Sequence, residues 1–415
     1  MANFIATDST TSYRLETGDR IYVGRDVEIV TGAARAITQD AVGDYANHVV
    51  IDGTVVSFGD NAIFLGGAAG AGNHVVSIGE TGVVRSADYD AFAGIYLVGD
   101  DNELRNWGEV TGRHGAFVNN TDFGIIENHG VMSGAAGAAV HVLSSASVTI
   151  LNTGLMTGAD GIALVNTGAT IRNTGQIYAT DEMGAAINAQ DALTELKVLN
   201  TGLLEAAQVA VVGSILGDTI INRGMINGDV ALGSWQDTYR GRLGSVEGTV
   251  YGQGGADTLI GGHEADRFDG GGDDDTLRGW GGDDDLFGGD GDDVLRGGRG
   301  DDMIRGGTGA DELRGGRDDD TFIFDDIADM TAHGATDHIL GFNRRDDVID
   351  LTGVAAGDLA FMGGRAFAGG GTASISLKVR HGDTLVKIDA DGDGVLDGRF
   401  FVDDVKGLNA HDFLL

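Results

Sequence analysis

Residues 288–307 read GGDGDDVLRGGRGDDMIRGG, five aspartates against three arginines, with a Gly-Gly pair returning every nine residues. Like charges a few ångströms apart repel, so a folded chain that repeats them at a fixed period has to neutralise them. The period runs well beyond this stretch. Cut every nine residues, 252–323 gives GQGGADTLI, GGHEADRFD, GGGDDDTLR, GWGGDDDLF, GGDGDDVLR, GGRGDDMIR, GGTGADELR and GGRDDDTFI. All eight units fit G-G-x-G-x-D-x-U-x at the aspartate and at the large apolar position U, which is Leu259, Phe268, Leu277, Leu286, Leu295, Ile304, Leu313 and Phe322 in turn.

Glycine reaches backbone angles closed to other residues, so the first six residues of a unit predict a tight turn. The last three, with one large apolar side chain, predict a short strand pointing inward. Two units then make one coil, and turns stack in two columns. Asp257, Asp275, Asp293 and Asp311 fall in one column, Asp266, Asp284, Asp302 and Asp320 in the other. Neighbouring carboxylates about 4.8 Å apart are unfavourable unless a cation lies between them.

Carboxylates and turn carbonyls together supply the six to eight hard oxygens that Ca²⁺ accepts, whereas Mg²⁺ demands a rigid octahedron and keeps its waters. The cleanest turns offer the carbonyls of Gly288, Gly289, Gly291, Gly297, Gly298, Gly300, Gly306, Gly307 and Gly309. Asp290, Asp292 and Asp301 occupy variable positions and are read as enriching the local field. Without metal the segment has strong self-repulsion and few core residues, so its folding is expected to depend on the ion.

This segment resembles the calcium-binding nonapeptide repeat of RTX proteins, which type I exporters carry out of Gram-negative cells. The resemblance implies a parallel β-roll with Ca²⁺ between turns of adjacent coils. Three gaps in each column give about six inter-turn sites. Where Gly is replaced, by Gln253 and Trp280 at the second position and by Glu264, Asp273 and Asp318 at the fourth, a left-handed backbone is expected to be strained.

Residues 50–250 carry a looser repeat, Asn-x-Gly-x-apolar: NWGEVTG at 106, NHGVMSG at 128, NTGLMTG at 152, NTGQIYA at 173, NTGLLEA at 200 and NRGMING at 222. Between these phrases lie short Val-, Ile-, Leu- and Ala-rich runs, which read as two or three strands per repeat. Such rungs cannot bury their own apolar side chains, but stacked they form one core, as in a parallel β-helix. Asn106, Asn128, Asn152, Asn173, Asn200 and Asn222 would then stack as a ladder, each amide bonding the next. The fold expected is all-β: a parallel β-helix over 1–250, a calcium-bound β-roll over 251–324, and a small β cap with an export signal over 325–415.

The cap resembles the region following the repeats in serralysin-type proteases, through Asp337, Ile339 and Phe342, then Val-Ile-Asp-Leu at 348–351, DADGDGVLDGRFFV and a terminal DFLL. A glycine-rich bend is expected at 363–371. In that family the uncleaved C-terminal region carries the export signal, which implies an extracellular protein. DADGDGVLD places Asp389, Asp391, Asp393 and Asp397 at positions one, three, five and nine of an EF-hand-like loop. Position twelve is Phe400 and the flanks read as strands, so a further calcium loop and a polar hairpin turn are both open.

The remaining composition narrows the function. A net charge of −37 excludes nucleic acid as a partner and favours cations. No cysteine is present for a thiol nucleophile or a Cys-based zinc site, and 72 glycines imply many turns. The start, MANFIATDSTTSYRLETGDR, has no basic stretch followed by an apolar run, and no window of about 18 apolar residues predicts a membrane span.

Metalloprotease His-Glu-x-x-His and hydrolase Gly-x-Ser-x-Gly motifs are absent. Alginate epimerases also join a β-helix to RTX modules. The Tyr-Gly-Phe-Asp-Pro-His motif expected from them is missing, however, and the ten histidines read as singly scattered, with no acid-base cluster on one face of 50–250. The leading expectation is a secreted calcium-stabilised protein with a structural, adhesive or cell-surface role and a capacity for self-association. The alternative is a uronan-active enzyme carrying an RTX module.

Overall fold

The computed structural model describes residues 3–415 except 17, 40–46, 67–72, 88–91, 121–123, 145, 331–335, 356 and 368. The protein is a parallel β-solenoid that divides into two compact units. One is Met1–Gly233 with Val246–Gly248, the other Ser234–Ser245 with Thr249–Leu415.

In the first unit each coil contributes up to three short strands, one to each of three faces. Val75–Ile78, Glu103–Asn106, Gly124–Asn128, Val148–Asn152, Ala169–Asn173, Lys197–Asn200 and Thr219–Asn222 form one parallel ladder. Val83–Ser86, Glu109–Gly112, Val131–Gly134, Leu155–Gly158 and Gln176–Ala179 form the second. Ile63–Leu65, Ile95–Val98, Ala116–Asn120, Val140–Ser144, Ile162–Val165 and Ile187–Asp191 form the third. In the last coils the second and third faces merge into the long strands Leu203–Val212 and Met225–Ser234, with register shifts where they bend.

Strand side chains alternate between inside and outside. Val76, Leu104, Ile126, Ile150, Ile171, Val198 and Ile220 therefore stack as one buried row, each contributing roughly 1.5–3 kcal/mol by leaving water. The six asparagines end the first-face strands, all completely buried. The glycine two residues later is demanded by contact: a Cβ on Gly154 would lie 2.1 Å from the carbonyl oxygen of Gly130 in the coil before.

In the second unit the nine-residue register holds. Thr258–Ile260, Thr276–Arg278, Val294–Arg299 and Glu312–Arg317 pair in parallel on one side, and Arg267–Gly272, Asp285–Asp290, Met303–Thr308 and Thr321–Ile323 on the other. All eight large apolar side chains are buried. The ladders do not stop with the repeats. Leu313 is continued by Ile339 and Phe322 by Ile349.

Beyond these, His338–Ile339 pairs with Phe401–Val402 and Ile349–Asp350 with Phe413–Leu414. Ser374–Arg380, Asp383–Asp389 and Gly398–Val402 form an antiparallel sheet, and Phe400 stacks on Phe324 at 4.5 Å. The bend expected over 363–371 has positive φ at Gly363, Gly369, Gly370 and Gly371, while Ala368 lies outside the described residues. No helix among the described residues is long and apolar enough to cross a membrane.

Candidate calcium columns and an aromatic ladder

The aspartate at the sixth position of each unit precedes the inward-pointing strand, so the turn delivers its carboxylate to the interior. All eight, Asp257 to Asp320, are at most 5 % exposed. In all but Asp266, one oxygen is held by a backbone N–H one turn back. Asp275 Oδ1 accepts from Asp257 N (2.6 Å), Asp293 Oδ1 from Asp275 N (2.7 Å) and Asp311 Oδ1 from Asp293 N (2.9 Å). On the other side Asp284 accepts from Asp266 (2.8 Å), Asp302 from Asp284 (3.0 Å) and Asp320 from Asp302 (3.1 Å).

The second oxygen is different. Oδ2 of Asp257, Asp275, Asp284, Asp293, Asp302 and Asp320 is buried with no hydrogen-bond partner. A buried, unpartnered carboxylate oxygen is costly, and it marks a place where a cation belongs. The first-position glycine makes room for it. A Cβ on Gly288 would sit 2.3 Å from Asp293 Oδ2 and 2.4 Å from the carbonyl oxygen of Gly306. Gly297 and Gly306 have the same relation to Asp302 and Asp311 Oδ2, at 2.0 Å each.

Gly289, Gly291, Gly298, Gly300, Gly307 and Gly309 all take positive φ. The carbonyls of Gly289 and Gly291 face the α-carbons of Gly307 and Gly309 one coil on. Buried carboxylates facing glycine-lined gaps and turn carbonyls are the hard-oxygen donor set that calcium takes.

Burial, the largest influence, drives these acids toward protonation, and like-charged neighbours add to it against the pull of backbone N–H donors. Asp275, Asp311 and Asp320 are pushed up to about 8. Asp257, Asp284 and Asp293 rise to about 7, and Asp266 and Asp302 to about 6. Four substituted turn positions do adopt the expected left-handed backbone: Gln253 (φ 77°), Asp273 (74°), Trp280 (79°) and Asp318 (79°).

Glu264 does not. Its turn departs from the others, with neither Gly262 nor Glu264 at positive φ. Instead Gly262 N donates to Asp266 Oδ2 at 2.7 Å, so this carboxylate is closed by its own turn.

Two features escaped the sequence reading. The fifth-position acids, among them Asp292 and Asp301, form hydrogen-bonded rows of their own: Asp274 Oδ1 accepts from Asp292 N and Asp292 Oδ1 from Ala310 N, each at 2.9 Å, while Asp283 and Asp301 accept likewise. Asp290, read as only enriching the field, accepts from Thr308 Oγ1 at 2.7 Å.

The columns also run past the repeats. Asp237 N donates to Asp257 Oδ1, Asp337 Oδ1 accepts from Asp311 N, and Asp347 Oδ1 from Asp320 N. The signal that could have found them is Asp-x-large apolar without its glycines: Asp237-Thr-Tyr239, Asp337-His-Ile339 and Asp347-Val-Ile349.

The DADGDGVLD loop joins the antiparallel strands Asp383–Asp389 and Gly398–Val402. Carboxylate oxygens of Asp389, Asp391 and Asp397 lie within 4.8 Å of one another, and Asp393 is outside that group. Asp389 accepts from Gly392 N and Gly394 N, and Asp397 from Ala390 N, so the loop is already hydrogen-bonded from within.

The β-helix unit corrects one expectation. His114 and His141, apart in sequence, meet with ring centroids at 4.8 Å. They adjoin an outward stack in which Phe64, Tyr96, Phe117 and His141 follow one another at 5.3, 4.8 and 4.7 Å, with the Arg35 guanidinium 3.5 Å from the Phe64 ring centre. Beside the stack lies a cleft of about 450 Å³ that includes Arg113 and His114. Burial lowers His114 to about 4, and its Nδ1 accepts from Ala138 N, so the neutral ring carries its proton on Nε2. Coils of unequal length hide this grouping in the sequence.

Residues 251–322 carry RTX calcium-binding nonapeptide repeats: the four-copy model of that repeat matches at 251–286, 264–295 and 287–322. Among solved structures the chain is similar to the solution structure of the AlgE6R3 subunit from the Azotobacter vinelandii mannuronan C5-epimerase. The match has 27 % identity and a TM-score of 0.21, and covers 37 % of this chain and 80 % of that one. No curated protein matches.

Proposed function

We propose that this is a secreted calcium-binding protein whose repeat segment folds when it meets calcium and whose β-helix serves a structural, adhesive or cell-surface role. The observation that carries the reading is the row of buried sixth-position carboxylates, each with one oxygen held by backbone and six with the other unpartnered. Asp257, Asp266, Asp275, Asp284, Asp293, Asp302, Asp311 and Asp320 would ligate about six ions with the turn carbonyls of the glycines between them. Asp389, Asp391 and Asp397 would form an additional, weaker site.

Extracellular calcium modules bind at about 10⁻⁴–10⁻³ M, so the segment would stay open in cytosol and close outside. That fits passage through a type I exporter, addressed by the C-terminal region. A calcium titration followed by circular dichroism tests the reading. Strand signal should rise between micromolar and millimolar calcium and fall again with chelator; equal strand content throughout refutes it.

A second reading is favoured by the His114–His141 pair, Tyr96 and the two arginines along one face: a site for acidic polysaccharide, binding or acting on uronans. Incubation with alginate and pectin decides between the two. Epimerised or unsaturated products establish an enzyme, and retention without turnover establishes an adhesive surface.

A further inference from the structure

Asp337 lies outside the nonapeptides, in the segment that follows them, yet it is 1 % exposed and stands in the column of Asp257, Asp275, Asp293 and Asp311. Its Oδ1 accepts from Asp311 N at 3.0 Å, as Asp311 Oδ1 accepts from Asp293 N. Parallel pairing of Glu312 with His338 and Leu313 with Ile339 fixes that register. Its Oδ2 is buried and unpartnered, like those of the repeat aspartates.

The other column ends differently. Asp347 Oδ1 accepts from Asp320 N, but its Oδ2 accepts from Asn343 N at 2.7 Å, so its own turn closes it. The two columns therefore finish unequally, one on a satisfied carboxylate and one on an open carboxylate.

Asp337 also holds the cap. Its carbonyl accepts from Phe401 N at 2.8 Å, His338 Nδ1 lies 2.9 Å from Asp403 Oδ1, and the His338 ring stacks on Phe401 at 5.1 Å. The strand Gly398–Val402 is thus seated on the same rung that presents the open oxygen.

We propose that Asp337 supplies a ligand for a further calcium ion at the end of the column of Asp311, beyond the sites of the nonapeptides, and that this ion couples docking of the C-terminal sheet to calcium. The inference rests on reading the columns as calcium sites. An ion there neutralises Asp337 against Asp311 and fixes the rung on which Phe401 is hydrogen-bonded. Binding of the last ion and ordering of 398–402 are then one event.

Equilibrium dialysis of the full-length protein with radioactive calcium tests this on three variants. Asp337→Asn keeps the acceptor for Asp311 N and removes the charge, so it should bind one ion fewer per chain. Asp347→Asn should bind the wild-type number, and Asp293→Asn should also lose an ion. If Asp293→Asn loses an ion and Asp337→Asn does not, the inference fails while the reading of the columns stands; if neither does, that reading fails with it. Hydrogen exchange on the unaltered protein gives an independent check. The Phe401 amide should gain protection over the calcium range that protects the amides of 311–313, and protection of Phe401 that is equal in calcium and in chelator overturns the coupling.

Discussion

The two units solve the same stacking problem with side chains that differ by one group. In the β-helix, Asn106 Nδ2 donates to Asn128 Oδ1 at 2.8 Å, and the relay continues through Asn152, Asn173, Asn200 and Asn222 at 2.8–2.9 Å. The amides of Asn106, Asn128, Asn152, Asn173 and Asn200 also donate to a strand carbonyl, as Asn152 does to Gln176 O at 3.1 Å. An amide owns both donors and an acceptor, so a buried ladder of them closes on itself. A carboxylate only accepts. The aspartate columns can satisfy one oxygen from the backbone, and the second waits for something positive. On the proposed reading, swapping an amide for an acid on a solenoid rung would turn a self-sufficient scaffold into a conditional one.

The contrast is broken most strongly by pH, because the units should respond with opposite sign. In chelator, the column acids have folded-state pKa values between about 6 and 8, against an ordinary value of 3.8. The closed, ion-free roll therefore holds more protons than the open chain. Its stability is greatest below about pH 4 and is lost as pH rises through 6 to 8. Protons would stand in for calcium.

In the β-helix, burial lowers His74 and His114 to about 4. Their contribution is complete above pH 6.5 and lost as pH falls toward 4, about 3 kcal/mol for the fully buried His74. Hydrogen exchange in chelator from pH 8 to 5, corrected for intrinsic rates, should show 252–323 gaining protection while the strands beside His74 and His114, Val75–Ile78 and Glu109–Gly112, lose it. A parallel response of both segments would remove the electrostatic account of the columns.

Exchanging the two residue types tests the same point locally. Asn152→Asp places a carboxylate between Asn128 and Asn173 with no cation and removes both N–H donors, those to Asn173 Oδ1 and Gln176 O. It should cost about 3 kcal/mol or more in urea unfolding of the β-helix at pH 7, and less at pH 4, where the acid can take up a proton. The reverse change, Asp284→Asn, should leave the calcium-free protein no less stable, because the amide removes a charge that nothing compensates. In calcium it should weaken the roll. Equal costs for both substitutions in chelator would mean that packing, not charge, distinguishes the ladders.

What the sequence made legible follows from how strictly each ladder constrains spacing. In the roll the turn has no freedom of length, so the period is nine, and the columns, the buried apolar row and the buried aspartates can be read by counting. In the β-helix only the Asn-x-Gly corner is fixed, by the amide relay and by the close approach of successive glycines. Loops between corners vary, so Phe64, Tyr96, Phe117 and His141 share no period and their stack could be found only in three dimensions. Asp337 and Asp347 were hidden for a related reason. They keep the column position but belong to longer, glycine-poor turns, so the pattern around them was gone while the register persisted.

Glycine itself separates the units at the smallest scale. Gly154 is required by a neighbouring carbonyl and has ordinary φ, whereas Gly289 combines φ 115° with a carbonyl 2.1 Å from where a Cβ would lie. Gln253 occupies the corresponding second position of the first nonapeptide at φ 77°, exposed, and carries the strain of a side chain in left-handed backbone. Gln253→Gly relieves that strain but adds freedom to the open chain, two terms of about 1 kcal/mol each that partly cancel. The net gain expected is about 0.5 kcal/mol, read as a twofold or smaller fall in the calcium concentration at the folding midpoint. Because the change touches neither column carboxylate, ion stoichiometry should not move. A rise in the midpoint would show that the turn tolerates the side chain without strain, and that φ matters less in this unit than the contact that already rules the other.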